Sequence, residues 1–212
     1  MTPLATLGSR LRYTGLSPRA LAAWAGSDRL SALPSLLPHA RRPITPASAL
    51  LALFVAGDDV PIEQVPALDD LHLHQLVDVV GSGVRARVSI LPLGPSLLVC
   101  DRLDTDDSLD VVCWPDDSSY HLALSLPVAR HARWLDLGCG SAFAALLRPE
   151  LATTITATDV NPRALGYASL GCELSGVAHV ALVTSDLADG VPIDLRASCD
   201  LVTCNAPIPE PD

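Results

Sequence analysis

The 212-residue chain contains no lysine. Its fourteen cations are all arginine, and its acids are twenty aspartates against four glutamates. That bias reads as composition and carries no functional weight. Aromatic residues make up only 4%, so a core has to be built from Leu, Ala and Val, which the 49% apolar content supplies. No stretch approaches the eighteen consecutive apolar residues of a membrane span; the longest relevant run, residues 49–57, is about half that length. The first residues lack a charged segment followed by an apolar core and a cleavage site, so secretion is not expected. Cys100, Cys113, Cys139, Cys172, Cys199 and Cys204 form no C-x-x-C pair and no zinc-type spacing. They are expected to be reduced, buried thiols of a cytoplasmic protein. The net charge of −10 opposes wholesale wrapping of nucleic acid, so DNA is not an expected partner.

What charge there is falls unevenly. Residues 1–57 sum to +5, residues 58–117 to −10 and residues 118–212 to −5, which points to at least two units. The boundary is set at 117/118. In the first unit, Ser17-Pro18 and Thr45-Pro46 read as an N-cap followed by proline at the first helical position. Residues 47–56 are predicted helical, with Gly57 closing them. Two further short helices are expected over 61–67 and 68–80, and Gly81-Ser82-Gly83 ends the pattern. Residues 84–90 alternate with period two, and 96–100 and 109–114 are further strand candidates. Helices followed by a small strand pair give a smaller, winged-helix-like α+β domain, read first as a substrate-positioning or dimerising unit.

The second unit has a different rhythm. A helix over 120–130 leads to strands at 133–137, 153–158, 179–184 and 200–204. Helices at 142–147 and 162–175 alternate with them. Alternation of this kind implies parallel pairing, hence a doubly wound, mostly parallel α/β sheet. His72 and His74 are two apart in a segment read as helical and point to different faces, so no metal site is expected.

In such sheets, ligands bind beyond the carboxyl ends of the strands. The first strand ends in Asp136-Leu137-Gly138-Cys139-Gly140, whose glycines let the backbone turn tightly before a helix N-terminus. The second ends in Asp159-Val160-Asn161-Pro162, with a carboxylate 23 residues after Asp136, a spacing suited to accept both hydroxyls of a ribose. The third ends in Ser185-Asp186-Leu187, an acid suited to an adenine amino group. The fourth ends in Cys204-Asn205-Ala206-Pro207. Each alone could be a cap or a turn; four together are a joint signal.

Residues 132–209 resemble the class I S-adenosylmethionine-dependent methyltransferases. Trp134-Leu-Asp136-Leu-Gly138-Cys-Gly140 is the first motif, and Ala157-Thr-Asp159-Val-Asn161-Pro162 is the second. Asn205-Ala206-Pro207-Ile208 falls where amino-group methyltransferases carry Asn-Pro-Pro-Tyr or Asn-Pro-Pro-Phe, with the protein-glutamine N5 and ribosomal-RNA guanine N2 enzymes as the nearest group. The resemblance implies a Rossmann-like core with S-adenosyl-L-methionine as cofactor. Asp136, Gly138, Cys139, Gly140, Asp159, Val160, Asp186, Leu187 and Asn205 would surround the cofactor, and Asn205 and Pro207 would meet the acceptor nitrogen.

Three departures stand out. Ala142 replaces a third glycine, a mild change if its φ is negative; Ala206 replaces a proline; Ile208 replaces the ring that stacks on a flat acceptor. The fold also normally continues past the fourth strand, so the chain is expected to be a fragment. The expected activity is methyl transfer to an amino or amide nitrogen of a protein or RNA, protein slightly favoured. The rival readings are a small-molecule methyltransferase and a catalytically silent cofactor-binding module.

Overall fold

The computed structural model describes residues 1–39, 43–106 and 110–206. Its N-terminal part opens with α1 (Pro3–Tyr13) and α2 (Pro18–Ala25). Each is started by a hydroxyl cap: Thr2 Oγ1 accepts from the Ala5 amide and Ser17 Oγ from the Ala20 amide. Short helical turns follow, among them α3 (Leu33–Leu36) and α4 (Ala49–Leu51); α4 runs into a π-turn, Ala52–Ala56, closed by Gly57 as expected. This apolar segment starts two residues later than predicted, because the Ser48 hydroxyl and Thr45 bond to each other and hold 45–48 in a turn.

Three predicted elements are corrected. Residues 61–67 are not a helix: they hold the end of β1 (Val60–Pro61) and a single 3-10 turn, Ile62–Gln64. Residues 68–80 divide into α5 (Leu68–Leu73) and β2 (Val77–Val80), since Gln75 takes a left-handed φ of 56° and the β-branched run beyond it prefers extended backbone. Residues 110–114 carry no strand. The predicted small strand pair becomes two structures. One is an antiparallel sheet of order β1-β3-β2, with β3 at Gly83–Ala86. The other is a hairpin of β4 (Ser89–Leu93) and β5 (Ser96–Cys100).

Every residue of the hairpin strands is buried. The π-turn packs against β4, and helix α8 (Pro162–Ser175) packs against β5. Coverage on both faces explains why Ser-Leu-Leu-Val-Cys shows no alternation.

Beyond the hairpin come α6 (Asp117–Ser125), β6 (His131–Leu137), α7 (Phe143–Leu147) and β7 (Ala152–Asp159). After α8 follow β8 (Val180–Thr184), α9 (Ile193–Arg196) and β9 (Leu201–Cys204). Helix α6 stops short of the predicted 130, because Pro127 forces Leu126 into extended backbone. The four strands form an all-parallel sheet of order β8-β7-β6-β9. The chain runs from β6 outward to β8 and returns on the other side as β9, so the strand order reverses between β6 and β9 and opens a crevice at their carboxyl ends. Among the described residues β9 pairs only with β6, leaving Val202 55% exposed at the edge.

One hydrophobic core runs from Leu7 and Leu11 through Phe54, Ile90 and Val99 to Trp134, Leu146 and Leu174. It is continuous because α8 lies between β5 and α1. Both contacts are close. A Cβ on Gly171 would meet the Leu97 carbonyl oxygen at 3.1 Å, and one on Gly8 would meet the Leu174 carbonyl oxygen at 1.9 Å. By helix propensity alone, Gly8→Ala would stabilise by about 1 kcal/mol. The backbone clash with α8 reverses the sign, and the variant is expected to lose roughly 1–3 kcal/mol, read as a lower urea midpoint.

Candidate active site

The carboxyl ends of β6, β7 and β9 open into a cleft of about 450 Å³. Its floor is the turn after β6. Gly138 and Gly140 both have left-handed φ, 64° and 55°, and neither has any atom within 4 Å of where a Cβ would stand. The turn is closed from two sides: the Cys139 amide donates to the Thr158 carbonyl at 2.8 Å, and the Gly140 amide donates to Asp159 Oδ2 at 2.8 Å. Asp159 Oδ1 accepts from the Asn161 amide at 2.9 Å. A carboxylate has about four acceptor sites, so each oxygen keeps capacity for a ligand hydroxyl.

Ala142 corrects an expectation. Its φ is +63°, so the residue that replaces glycine sits in the left-handed region at a cost of about 1–2 kcal/mol, held there by complete burial at the head of α7.

Asp136 is 3% exposed at the floor of the cleft. Burial pushes its pKa up to about 6; the Thr203 hydrogen bond counters this and the charge of Asp159 adds to it. The side chains of β6 and β9 form a buried relay here. Trp134 Nε1 donates to Thr203 Oγ1 at 2.7 Å, and that hydroxyl donates to Asp136 Oδ1 at 2.5 Å. Parallel register sets this up, since Asp136 and Thr203 face each other across the strand pair. Cys139 also lines the cleft, and its thiol is pushed far up by burial and by Asp136 and Asp159, so it stays protonated and inert.

The opposite wall is residues 111–116, with Ser119, Leu122 and Phe143. Asp101, at the end of β5, holds this wall. Its Oδ2 accepts from the Val112 amide at 2.8 Å and its carbonyl from Trp114 Nε1 at 2.9 Å. Its Oδ1 takes the Tyr167 hydroxyl at 2.8 Å and pairs with Arg163, both on α8. Asn161 Nδ2 adds a bond to the Asp110 carbonyl at 3.0 Å.

Asn205 follows β9 and reaches the same cleft, where its side chain meets Ser118 and Ser119 at the start of α6. The structure thus brings together Asp136, Gly138, Cys139, Gly140, Asp159 and Asn205. Val160, Asp186 and Leu187 are exposed and do not line the cleft. Pro207, and the neighbouring Ile208, lie outside the described residues. The 111–116 wall, the two serines and the Trp134–Thr203 relay were not read from the sequence. The one local signal for them was Asp116 three residues before Ser119, a helix N-cap. The thiols also depart from expectation: Cys100, Cys139 and Cys172 are buried, whereas Cys113 and Cys204 are exposed.

Residues 112–212 match the family described as Methyltransferase small domain. No curated protein matches the chain. Among solved structures, the chain is similar to a SAM-dependent methyltransferase from Agrobacterium tumefaciens, at 18% identity over 60% of this chain and 40% of that one, with a TM-score of 0.44. It is similar to the tRNA m1G37 methyltransferase of M. jannaschii at 18% identity over 57% and 36%, with a TM-score of 0.42. It is also similar to the ribosomal protein L11 methylase of Lactobacillus delbrueckii subsp. bulgaricus at 22% identity over 41% and 43%, with a TM-score of 0.35. The chain therefore spans between 36% and 43% of the length of these proteins. The family match falls on the unit that carries the cleft.

Proposed function

We propose that the protein is an S-adenosylmethionine-dependent methyltransferase whose acceptor is an amino or amide nitrogen of a protein or an RNA, protein being favoured. The observation that carries this reading is the placement of Asn205 in one cleft with the open Gly138–Gly140 turn and with Asp159. The cleft fits the cofactor. Its volume is that of a small-molecule site, its glycine turn leaves backbone free to approach a ligand, and Asp136, Asp159 and Asp116 line it with carboxylates that suit a cation. When bound, S-adenosylmethionine supplies a methyl group on an electron-poor sulfonium. The chain's own residues then bind and align. The Gly138–Gly140 turn and Asp159 would hold the nucleoside side, Asp136 would face the positive charge, and Asn205 would accept a hydrogen bond from the acceptor's N–H. Alignment of this kind accounts for a large part of such rate enhancements.

The arginines of the N-terminal part support a protein acceptor over RNA. Arg10 pairs with Asp70 and Arg29 with Asp117, both at 2.9 Å, which takes two of the six cations of that stretch away from a phosphate backbone. Arg41 and Arg42 lie outside the described residues.

Titration calorimetry with S-adenosylmethionine should show binding to the wild type and a loss of binding in Asp159→Ala; equal heats would refute the cofactor site. Methyl transfer from labelled cofactor into the protein, RNA and small-molecule fractions of a bacterial lysate identifies the acceptor. Asn205→Ala should lower transfer by on the order of 100-fold while sparing cofactor binding.

A second expectation concerns the buried acid. The folded pKa of Asp136, about 6, lies above its ordinary value of 3.8, so the stability it confers when protonated is complete below pH 3.8 and is lost as the pH rises through 6. Asp136→Asn keeps the acceptor for Thr203 without the charge. At pH 7.5 it is expected to be more stable than wild type by up to about 3 kcal/mol, with no gain below pH 4, and to bind the cationic cofactor more weakly. Urea unfolding at both pH values checks the first, calorimetry the second.

A further inference from the structure

Asn205 can present either end of its amide to the cleft, and the two ends recognise opposite partners. Its oxygen accepts from an N–H; its NH₂ donates to an oxygen or a ring nitrogen. Which end faces outward is a matter of proton bookkeeping in its neighbours.

Asp116 caps α6, and its Oδ1 takes three donors: the Ser119 amide at 3.0 Å, the Ser119 hydroxyl at 3.1 Å and the Ser118 hydroxyl at 2.7 Å. Those bonds, led by the Ser119 amide, hold its pKa below the ordinary value, so at neutral pH it is a carboxylate and can only accept. Each serine has one hydroxyl hydrogen, and the charged acceptor takes it in preference to a neutral one. Both oxygens are then left as acceptors. Asn205 Nδ2 meets both, Ser118 Oγ at 2.9 Å and Ser119 Oγ at 3.3 Å, one for each of its hydrogens. The alternative is a bond from Ser118 Oγ to Asn205 Oδ1 at 3.1 Å, and it would draw on the hydrogen already given to Asp116. Among the described residues no other donor reaches Oδ1.

We propose that Ser118 and Ser119, anchored on Asp116, are positioning residues that fix the Asn205 amide with its NH₂ inward and its Oδ1 outward, so that the site selects an acceptor carrying an N–H. This rests on the amino-group reading above and assigns its selectivity to three residues at the start of α6, the N-cap Asp116 with Ser118 and Ser119, that lie far from Asn205 in sequence. A purely structural serine pair would serve helix capping alone, and the Asp116–Ser119 amide bond already does that.

The test uses the full chain labelled with nitrogen-15. In the wild type the Asn205 side-chain amide protons should be protected from solvent exchange. In Ser118→Ala/Ser119→Ala, exchange should quicken at least about tenfold, cofactor affinity by calorimetry should stay within about twofold, and kcat for transfer from tritiated S-adenosylmethionine into the lysate fraction that accepts methyl should fall roughly 10- to 100-fold. Ser118→Thr/Ser119→Thr, which keeps both hydroxyls, should restore protection and turnover. An alanine pair with unchanged amide exchange, or with unchanged turnover beside an active wild type, overturns the inference alone. A wild type that binds cofactor but methylates no fraction overturns the amino-group reading and the acceptor role of Oδ1 with it.

Discussion

Asp101 joins three parts of the molecule through one buried carboxylate. It directly follows β5, its Oδ2 holds the Val112 amide, and its Oδ1 holds Arg163 and Tyr167 on α8. The wall of the cleft at 111–116, the hairpin behind it and the long helix beside the sheet are thereby fixed relative to one another. Asp101 is only 3% exposed, and the donors on both of its oxygens offset the cost of burying them. The cleft is therefore not a property of the parallel sheet alone. One of its walls is tied to the last strand of the N-terminal part, which gives that part a structural role in the site.

A second constraint is the accumulation of acids inside the cleft. Asp136, Asp159 and Asp116 all line it, and they are treated differently by their surroundings. Asp116 is held ionised by three donors at a helix start, whereas Asp136 is buried with one strong donor and is raised to about 6. Divergence of this kind among neighbouring carboxylates is typical of functional sites. The charge of Asp159 adds to the cost of ionising Asp136, and a cationic ligand would offset that cost.

Legibility differed sharply between the two halves of the chain. From residue 131 on, Pro162–Ser175 was read to the residue, and β6 to β9 to within two residues at each end. There the pattern of apolar strand, turn glycine or cap, and helix repeats with little competition. In the first half, 68–80 was read as one helix because Leu71, Leu73, Leu76, Val77 and Val80 supply apolar positions along it. The left-handed backbone at Gln75 divides it, and β2 finds its partner in β3 only after the chain has turned back. The π-turn and the fully buried hairpin have the same origin: their apolar runs are compatible with helix or strand until something packs on both faces.

The sequence by itself determined the parallel unit, the order of its four strands and the strand-end residues Asp136, Gly138, Gly140, Asp159 and Asn205, because the carboxyl ends of β6, β7 and β9 converge by topology, whereas Asp186 and Leu187 after β8 stay outside the cleft. It could not determine the wall at 111–116, the Trp134–Thr203–Asp136 relay or the Asp116–Ser118–Ser119 cluster on Asn205. The Trp134–Thr203–Asp136 relay and the bonds of Ser118 and Ser119 to Asn205 span 67 to 87 residues of chain, beyond the reach of any local pattern. Only the docking of α6 and β9 against the same cleft decides which hydroxyl meets which carboxylate, and with it which end of the Asn205 amide faces outward.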